Sequence, residues 1–243
     1  MPLELVLVHG SRLNAACWGP LRERLPGHVI HAPDLPGHGT RLGEDFDMDS
    51  AVAVVEQAVI ECAAPPLLVG HSLGGYVALE CAARAGHREI AGLALLGASA
   101  DPSTPMAAPY KAVGEGVRLG LSVTRLRETL TAADKTLLQR ALGEAGEAIV
   151  EHGVDVATIP VAWQAVVDHG DLSLLHDVSV PVRFINGQLD QFRLGEQDAL
   201  RLRPGATVVH VPGTHLAPVT HPDGVAKALR DFIAEEIRPG RAG

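Results

Sequence analysis

The chain predicts an α/β fold: a mostly parallel central sheet of about six strands, flanked by helices, with a helical cap inserted between two of its strands. Three observations carry this expectation. Apolar runs of strand length recur along the 243 residues without alternating polar and apolar positions, as strands do when both sheet faces are covered. Segments with helical apolar spacing lie between them. One long interval breaks the rhythm and holds only helical pieces.

In chain order, strands are expected at Leu3–Val8, Val29–His31, Leu67–Val69, Gly92–Leu96, Val182–Ile185 and Thr207–Val211, and helices at Ala15–Leu25, Asp49–Cys62, Leu73–Ala85, Gln197–Arg203 and Pro222–Ile237. Between Asp101 and about Val178 no strand-like run occurs. Tyr110–Leu121, Thr124–Leu130, Asp134–Leu142 and Val161–Val167 read there as helices, punctuated by prolines and glycines. Residues 1–100 and 179–243 are thus expected to form one core domain, with 101–178 as its cap. The Gly- and Arg-rich tail Arg238–Gly243 is expected to fray.

Composition narrows the partners. With 47% apolar residues the chain has the core of one large domain. A formal charge of −9, with lysines and arginines scattered rather than clustered, excludes a nucleic-acid partner. Cys17, Cys62 and Cys81 are odd in number and each falls in a segment read as helix, which suits small buried apolar residues better than a disulfide framework. The start, Leu3-Glu4-Leu5-Val6-Leu7-Val8, has neither a basic lead nor a long apolar stretch, so no membrane association is expected, and a cytoplasmic monomer or homodimer is.

The motif that carries chemistry is Gly70-His71-Ser72-Leu73-Gly74, between the apolar run Pro66–Val69 and the small-residue run from Gly75. It reads as a serine nucleophile on a tight strand-to-helix turn, whose flanking glycines leave room for a strained backbone. A serine hydroxyl needs a base and a group that orients the base. His215 follows the last strand in a loop and is the expected base; His210 sits inside that strand and His221 opens the final helix. The orienting acid is expected at Asp190, three residues past Gly187 after the fifth strand, with Asp101 as competitor. Backbone N–H groups of Leu73 and Ser11 are the expected oxyanion donors. His9 is read as a buried residue holding its loop, and Asp34-Leu35-Pro36-Gly37-His38-Gly39 as a structural turn that lacks the features of a phosphate loop.

Leu13, Tyr110, Trp163 and Leu216 are the candidate substrate-contacting residues, with Met106, Val117, Leu121 and Val166 as further wall candidates. At 3% aromatic content the pocket is expected to be largely aliphatic. Arg118, Arg125 and Arg127 suit either an acidic carrier protein or a solvated helix face.

With His9-Gly10, the Asp34–Gly39 turn, Gly70–Gly75, Gly187-Gln188-Leu189-Asp190 and Gly213-Thr214-His215 in place, the chain resembles the α/β-hydrolase superfamily over essentially its whole length. Its triad order, Ser72 then Asp190 then His215, is that of the superfamily. The stretch His9–Trp18, His215-Leu216-Ala217-Pro218 and His221-Pro222 are similar to small carboxylesterases such as the pimeloyl-carrier-protein methyl ester esterases. It departs from them at His71 and Ser11, where those esterases usually carry tryptophan. The resemblance implies a small or medium ester substrate, free or carrier-bound, a two-step acyl transfer, and neither metal nor organic cofactor. Two other readings on the same fold are a lyase of the hydroxynitrile-lyase type, which typically adds a cap lysine (here Lys111 or Lys135), and a ligand receptor.

Overall fold

The computed structural model describes residues 3–85, 90–102 and 124–237, together with positions 112, 115, 116 and 119. Six strands are present: β1 (Glu4–Val8), β2 (Val29–His31), β3 (Leu67–His71), β4 (Gly92–Leu96), β5 (Val182–Gly187) and β6 (Thr207–Val211). They form one sheet in the order β2-β1-β3-β4-β5-β6, with every neighbouring pair parallel.

Period-two alternation of apolar residues builds a core on each face of this sheet. Val6, Val8, Leu68, Leu93, Leu95 and Phe184 pack on one side with the helices Met48–Ile60 and Leu73–Ala85. Leu5, Leu7, Leu67, Val69, Ala94 and Ile185 pack on the other with Trp18, Leu21 and the helix Pro222–Phe232. The central strands β1, β3, β4 and β5 are accordingly buried almost throughout.

Burial on both faces does not extend to β2 and β6, which are partly exposed because they are the two edges of the sheet. The segment Ala15–Leu25 is not one helix but a 3₁₀ turn, Ala15–Trp18, followed by a single α-turn, Gly19–Arg22. Pro20, which has no N–H to continue the hydrogen-bond ladder, separates them. Met48–Ile60 ends before Cys62, which therefore lies outside a helix. The two expected helices Thr124–Leu130 and Asp134–Leu142 are one helix, Thr124–Leu142, joined through Ala132 and Ala133, which favour helix. Val161–Val167 extends to Thr158–His169, and a helix at Glu144–His152 was not expected. The final helix changes at Phe232 to a π-turn, Ile233–Ile237.

The helices between β4 and β5 are tied to the sheet's loops by polar contacts. Asn14 Nδ2 donates to the carbonyls of Ile149 (2.8 Å) and Gly153 (2.9 Å), and Thr158 Oγ1 donates to Gly37 O at 2.9 Å. Asp34 accepts from Ala15 N–H, from Thr40 N–H and Oγ1, and from His152 Nε2, each at 2.8 Å. The Asp34–Gly39 turn is thus a structural junction. Burial alone would raise the Asp34 carboxyl's pKa, but these donors hold it below the ordinary carboxylate value.

One buried side chain of the sheet is a cation. Arg183 of β5 is buried, with Nε donating to Thr207 Oγ1 at 3.0 Å and Nη2 to Glu235 (2.9 Å) and Glu236 (2.5 Å), its guanidinium 4.9 Å from the Phe232 ring centre. Arg183→Met is expected to lower unfolding free energy by about 2–3 kcal/mol, less than for a wholly buried pair because both glutamates reach solvent. Urea titration measures this; an unchanged midpoint would show the ion cluster to be energetically idle.

Candidate active site

Because all six strands are parallel, their C-terminal ends open on one side, where loops converge. They line a cavity of about 410 Å³ that is partly open to solvent. The loop after β1 contributes Ser11, Arg12 and Leu13; the end of β3 gives His71, Ser72 and Leu73; the loops after β4, β5 and β6 give Asp101, Phe192 and His215-Leu216. Leu138, Trp163 and Val166 close it from the helices between β4 and β5.

Ser72 sits between β3 and the helix Leu73–Ala85 with φ +54°, a left-handed backbone that an L-residue adopts at a cost of about 1–2 kcal/mol. The conformation is over-determined by its surroundings. Ser72 N–H donates to Leu96 O at 2.9 Å, and a Cβ on Gly70 would lie 2.2 Å from Gly74 O, while one on Gly74 would lie 2.4 Å from the carbonyl oxygens of Val8 and His9. Only glycine fits on either side.

From that turn a hydrogen-bonded chain runs through three side chains. His215 Nδ1 lies 3.0 Å from Asp190 Oδ2, and His215 Nε2 lies 2.9 Å from Ser72 Oγ. An ionised carboxylate only accepts, so Nδ1 carries the ring proton and Nε2 presents its lone pair to the serine hydroxyl. Asp190 is buried and its other oxygen accepts from Phe192 N–H at 2.9 Å. Asp101, the competing acid, lines the cavity wall.

Two aromatic rings hold the imidazole. Phe192 and His71 lie 4.7 and 5.0 Å from the His215 ring, centre to centre, and His71 Nε2–H donates to His215 O at 2.8 Å. These contacts were not foreseen. His71 stood in the motif without an assigned role, and nothing local marks Phe192 beyond its place two residues after Asp190. His9 behaves as expected: its Nδ1–H donates to Gly10 O and its Nε2 accepts from Leu35 N–H at 3.0 Å, joining the loops after β1 and β2. Exposed His210 pairs with Glu196, and His221 bonds Thr220 Oγ1.

Burial drives the pKa of His9 and of His71 down to about 3, so both are neutral in the folded protein. In the unfolded chain an ordinary imidazole takes up its proton below about pH 6.5. Between those values the unfolded state binds more protons, so stability falls as pH drops from about 6.5, by about 1.4 kcal/mol per pH unit for each histidine. Urea midpoints at pH 7 and pH 5.5 check this, and equal midpoints would contradict it.

Leu73 is the first residue of its helix, where backbone N–H groups have no intrahelical acceptor, and it lines the cavity together with Ser11. Trp163 Nε1–H donates to Ser11 Oγ at 2.7 Å, joining that loop to the helix Thr158–His169. Leu13, Trp163 and Leu216 all line the cavity, as does Val166; Tyr110, Met106, Val117 and Leu121 lie outside the described residues. Arg12 is the second non-glycine residue with a left-handed backbone, φ +62°. As to metal ligands, the described residues contain one mixed group, Glu4, His31 and Cys62, with ligand atoms within 4.8 Å of one another and none on the cavity wall. Glu4's oxygens are taken by His31 Nε2 and Ala63 N–H.

A model of the alpha/beta hydrolase family matches residues 5–228. The chain is 29% identical to the pimeloyl-[acyl-carrier protein] methyl ester esterase of Xanthomonas axonopodis, over 95% of this chain and 94% of that one. It is 30% identical to the corresponding esterase of Neisseria meningitidis, over 95% and 76%. Among solved structures it is similar to a thermophilic esterase from Thermogutta terrifontis, with a TM-score of 0.73 and 25% identity, covering 97% of this chain and 90% of that one.

Proposed function

Since the chain belongs to the alpha/beta hydrolase family, we propose that it hydrolyses carboxylic esters through a serine acyl-enzyme. The observation that carries this reading is the Ser72–His215–Asp190 hydrogen-bonded chain, whose Ser72 and His215 line a partly open, largely apolar cavity. Ser72 Oγ attacks the ester carbonyl as its proton passes to His215 Nε2. The tetrahedral oxyanion accepts from Leu73 N–H and Ser11 N–H, each donor worth about 3–4 kcal/mol to the transition state. His215 then gives the proton to the departing alcohol. Water, deprotonated by the same nitrogen, releases the acid and restores Ser72. Asp190 keeps His215 in the tautomer both half-reactions need.

Leu13, Trp163 and Leu216 contact the substrate in this reading, and residues 101–178 act as a cap that sets its size. The esterase names of the relatives favour a medium acyl chain, free or carrier-bound. Of the arginines considered for an acidic carrier, Arg127 is engaged by Asp155, while Arg118 lies outside the described residues, as does the Arg125 side chain. Hydrolysis is favoured over the lyase reading because no lysine lines the cavity among the described residues. Lys135 lies in a separate cleft with Arg127 and Asp155, and Lys111 is outside the described residues.

A series of p-nitrophenyl esters of increasing acyl length tests the function. Turnover is expected to peak at medium length and then fall as the chain outgrows the cavity. A protein that cleaves no ester, lactone or thioester would remove the proposal.

A further inference from the structure

Among the described non-glycine residues only Ser72 and Arg12 have a left-handed backbone, and both line the same cavity. The strain at Ser72 lifts a hydroxyl clear of the sheet. Strain at Arg12 has no such explanation, since glycine takes that conformation freely and would complete the turn without a side chain. The side chain itself is the reason to look for.

Arg12 is the one lysine or arginine on the cavity wall among the described residues. Its Nη2 donates to Asp134 on the helix Thr124–Leu142, and Asp134 is nine-tenths buried, so the guanidinium is held from one edge. Its Nε is buried without an acceptor, and about a third of the side chain remains exposed. A planar guanidinium has five N–H donors, and this one, fixed by one carboxylate, keeps donors over for a second. Asp101, the carboxylate on the same wall, repels an anion from its own side. The rest of the lining near Arg12, Leu13, Leu138 and Trp163, is largely apolar.

We infer that Arg12 anchors a carboxylate on the acyl part of the substrate, making half-esters of dicarboxylic acids the preferred class. The inference rests on the ester-hydrolase reading above. Backbone strain is tolerated at residue 12 because the loop that carries Ser11 also delivers this cation to the cavity that Ser72 lines.

The test compares monomethyl esters of dicarboxylic acids with methyl esters of monocarboxylic acids of equal length, on the native protein and on Arg12→Gly. The native protein is expected to favour the half-ester, and Arg12→Gly to lose about 10- to 100-fold more kcat/KM on it than on the neutral ester, chiefly through KM. The melting temperature is expected to fall, because Asp134 loses its partner while nine-tenths buried and the relief of the backbone offsets only part of that, so kcat/KM on the neutral ester serves as the control for an intact site. Equal losses on both ester classes, or an unchanged preference, would overturn the anchor. Calorimetric binding of the free dicarboxylates separates the two claims. Arg12-dependent binding by a protein that cleaves no ester would keep the anchor and end the hydrolase reading.

Discussion

Ser72→Ala is expected to lower kcat on the best ester by about ten-thousand- to a million-fold while leaving the fold intact. The size of the effect follows from what the hydroxyl does, because removing the attacking oxygen of a serine triad leaves only the oxyanion donors and binding contacts, which together give a small residual rate. The fold survives because Ser72 Oγ's partner is His215, whereas the turn is shaped by Gly70, Gly74 and the Ser72 N–H bond to Leu96 O, none of which alanine disturbs. Alanine inherits the same φ of +54° and hence the same strain. Steady-state kinetics and circular dichroism on one preparation provide the check. Turnover within about tenfold of native would mean that the acyl group is carried elsewhere, or that water attacks directly.

Asp190→Asn should cost about ten-thousand-fold in kcat, nearly as much, without loss of binding. Asparagine matches aspartate in shape and can still accept from Phe192 N–H, so the loop keeps its place. What changes is the proton. An amide N–H turned toward His215 Nδ1 would stabilise the tautomer with its proton on Nε2, and that nitrogen could no longer accept from Ser72. Asp101→Asn, in the same cavity, is expected to leave kcat within about tenfold, since Asp190 is the acid that holds His215. The reverse pattern, a tolerant Asp190 and an intolerant Asp101, would move the orienting role to Asp101.

Legibility in the sequence followed the range over which each feature is determined. The six strands were readable because burial on both faces leaves continuous apolar runs such as Leu67-Leu68-Val69, and it was only the burial of the two edge strands that was misread, since Val29 and His210 are exposed. The meeting of Ser72, Asp190 and His215 was readable because each follows a strand, and parallel strands deliver such residues to one end. The cavity wall was legible only in part: Leu13, Trp163, Val166 and Leu216 line it, as the sequence reading expected, but other wall residues were missed. Leu138 meets the site from a helix distant in sequence, and no local pattern announces that contact. Gly143 and Gly146 dilute the apolar period of Glu144–His152, which hid that helix. Arg12 gave no sign of its left-handed backbone, because a turn of that kind is signalled by glycine and here the residue is arginine.

The bond from His71 to the carbonyl of His215 has a consequence for motion. β3 and β6 are separated by β4 and β5, so Ser72 and His215 hang from strands roughly 14 Å apart, and β6 is an edge paired on one side only. His71 belongs to the buried middle of the sheet and is next in the chain to Ser72, yet it grips the main chain of His215 directly. His215 is therefore held to the strand that leads into Ser72 as well as to the edge strand that precedes it in the chain. A displacement of the sheet edge is thereby kept out of the gap between Ser72 Oγ and His215 Nε2 for as long as the His71 bond is made.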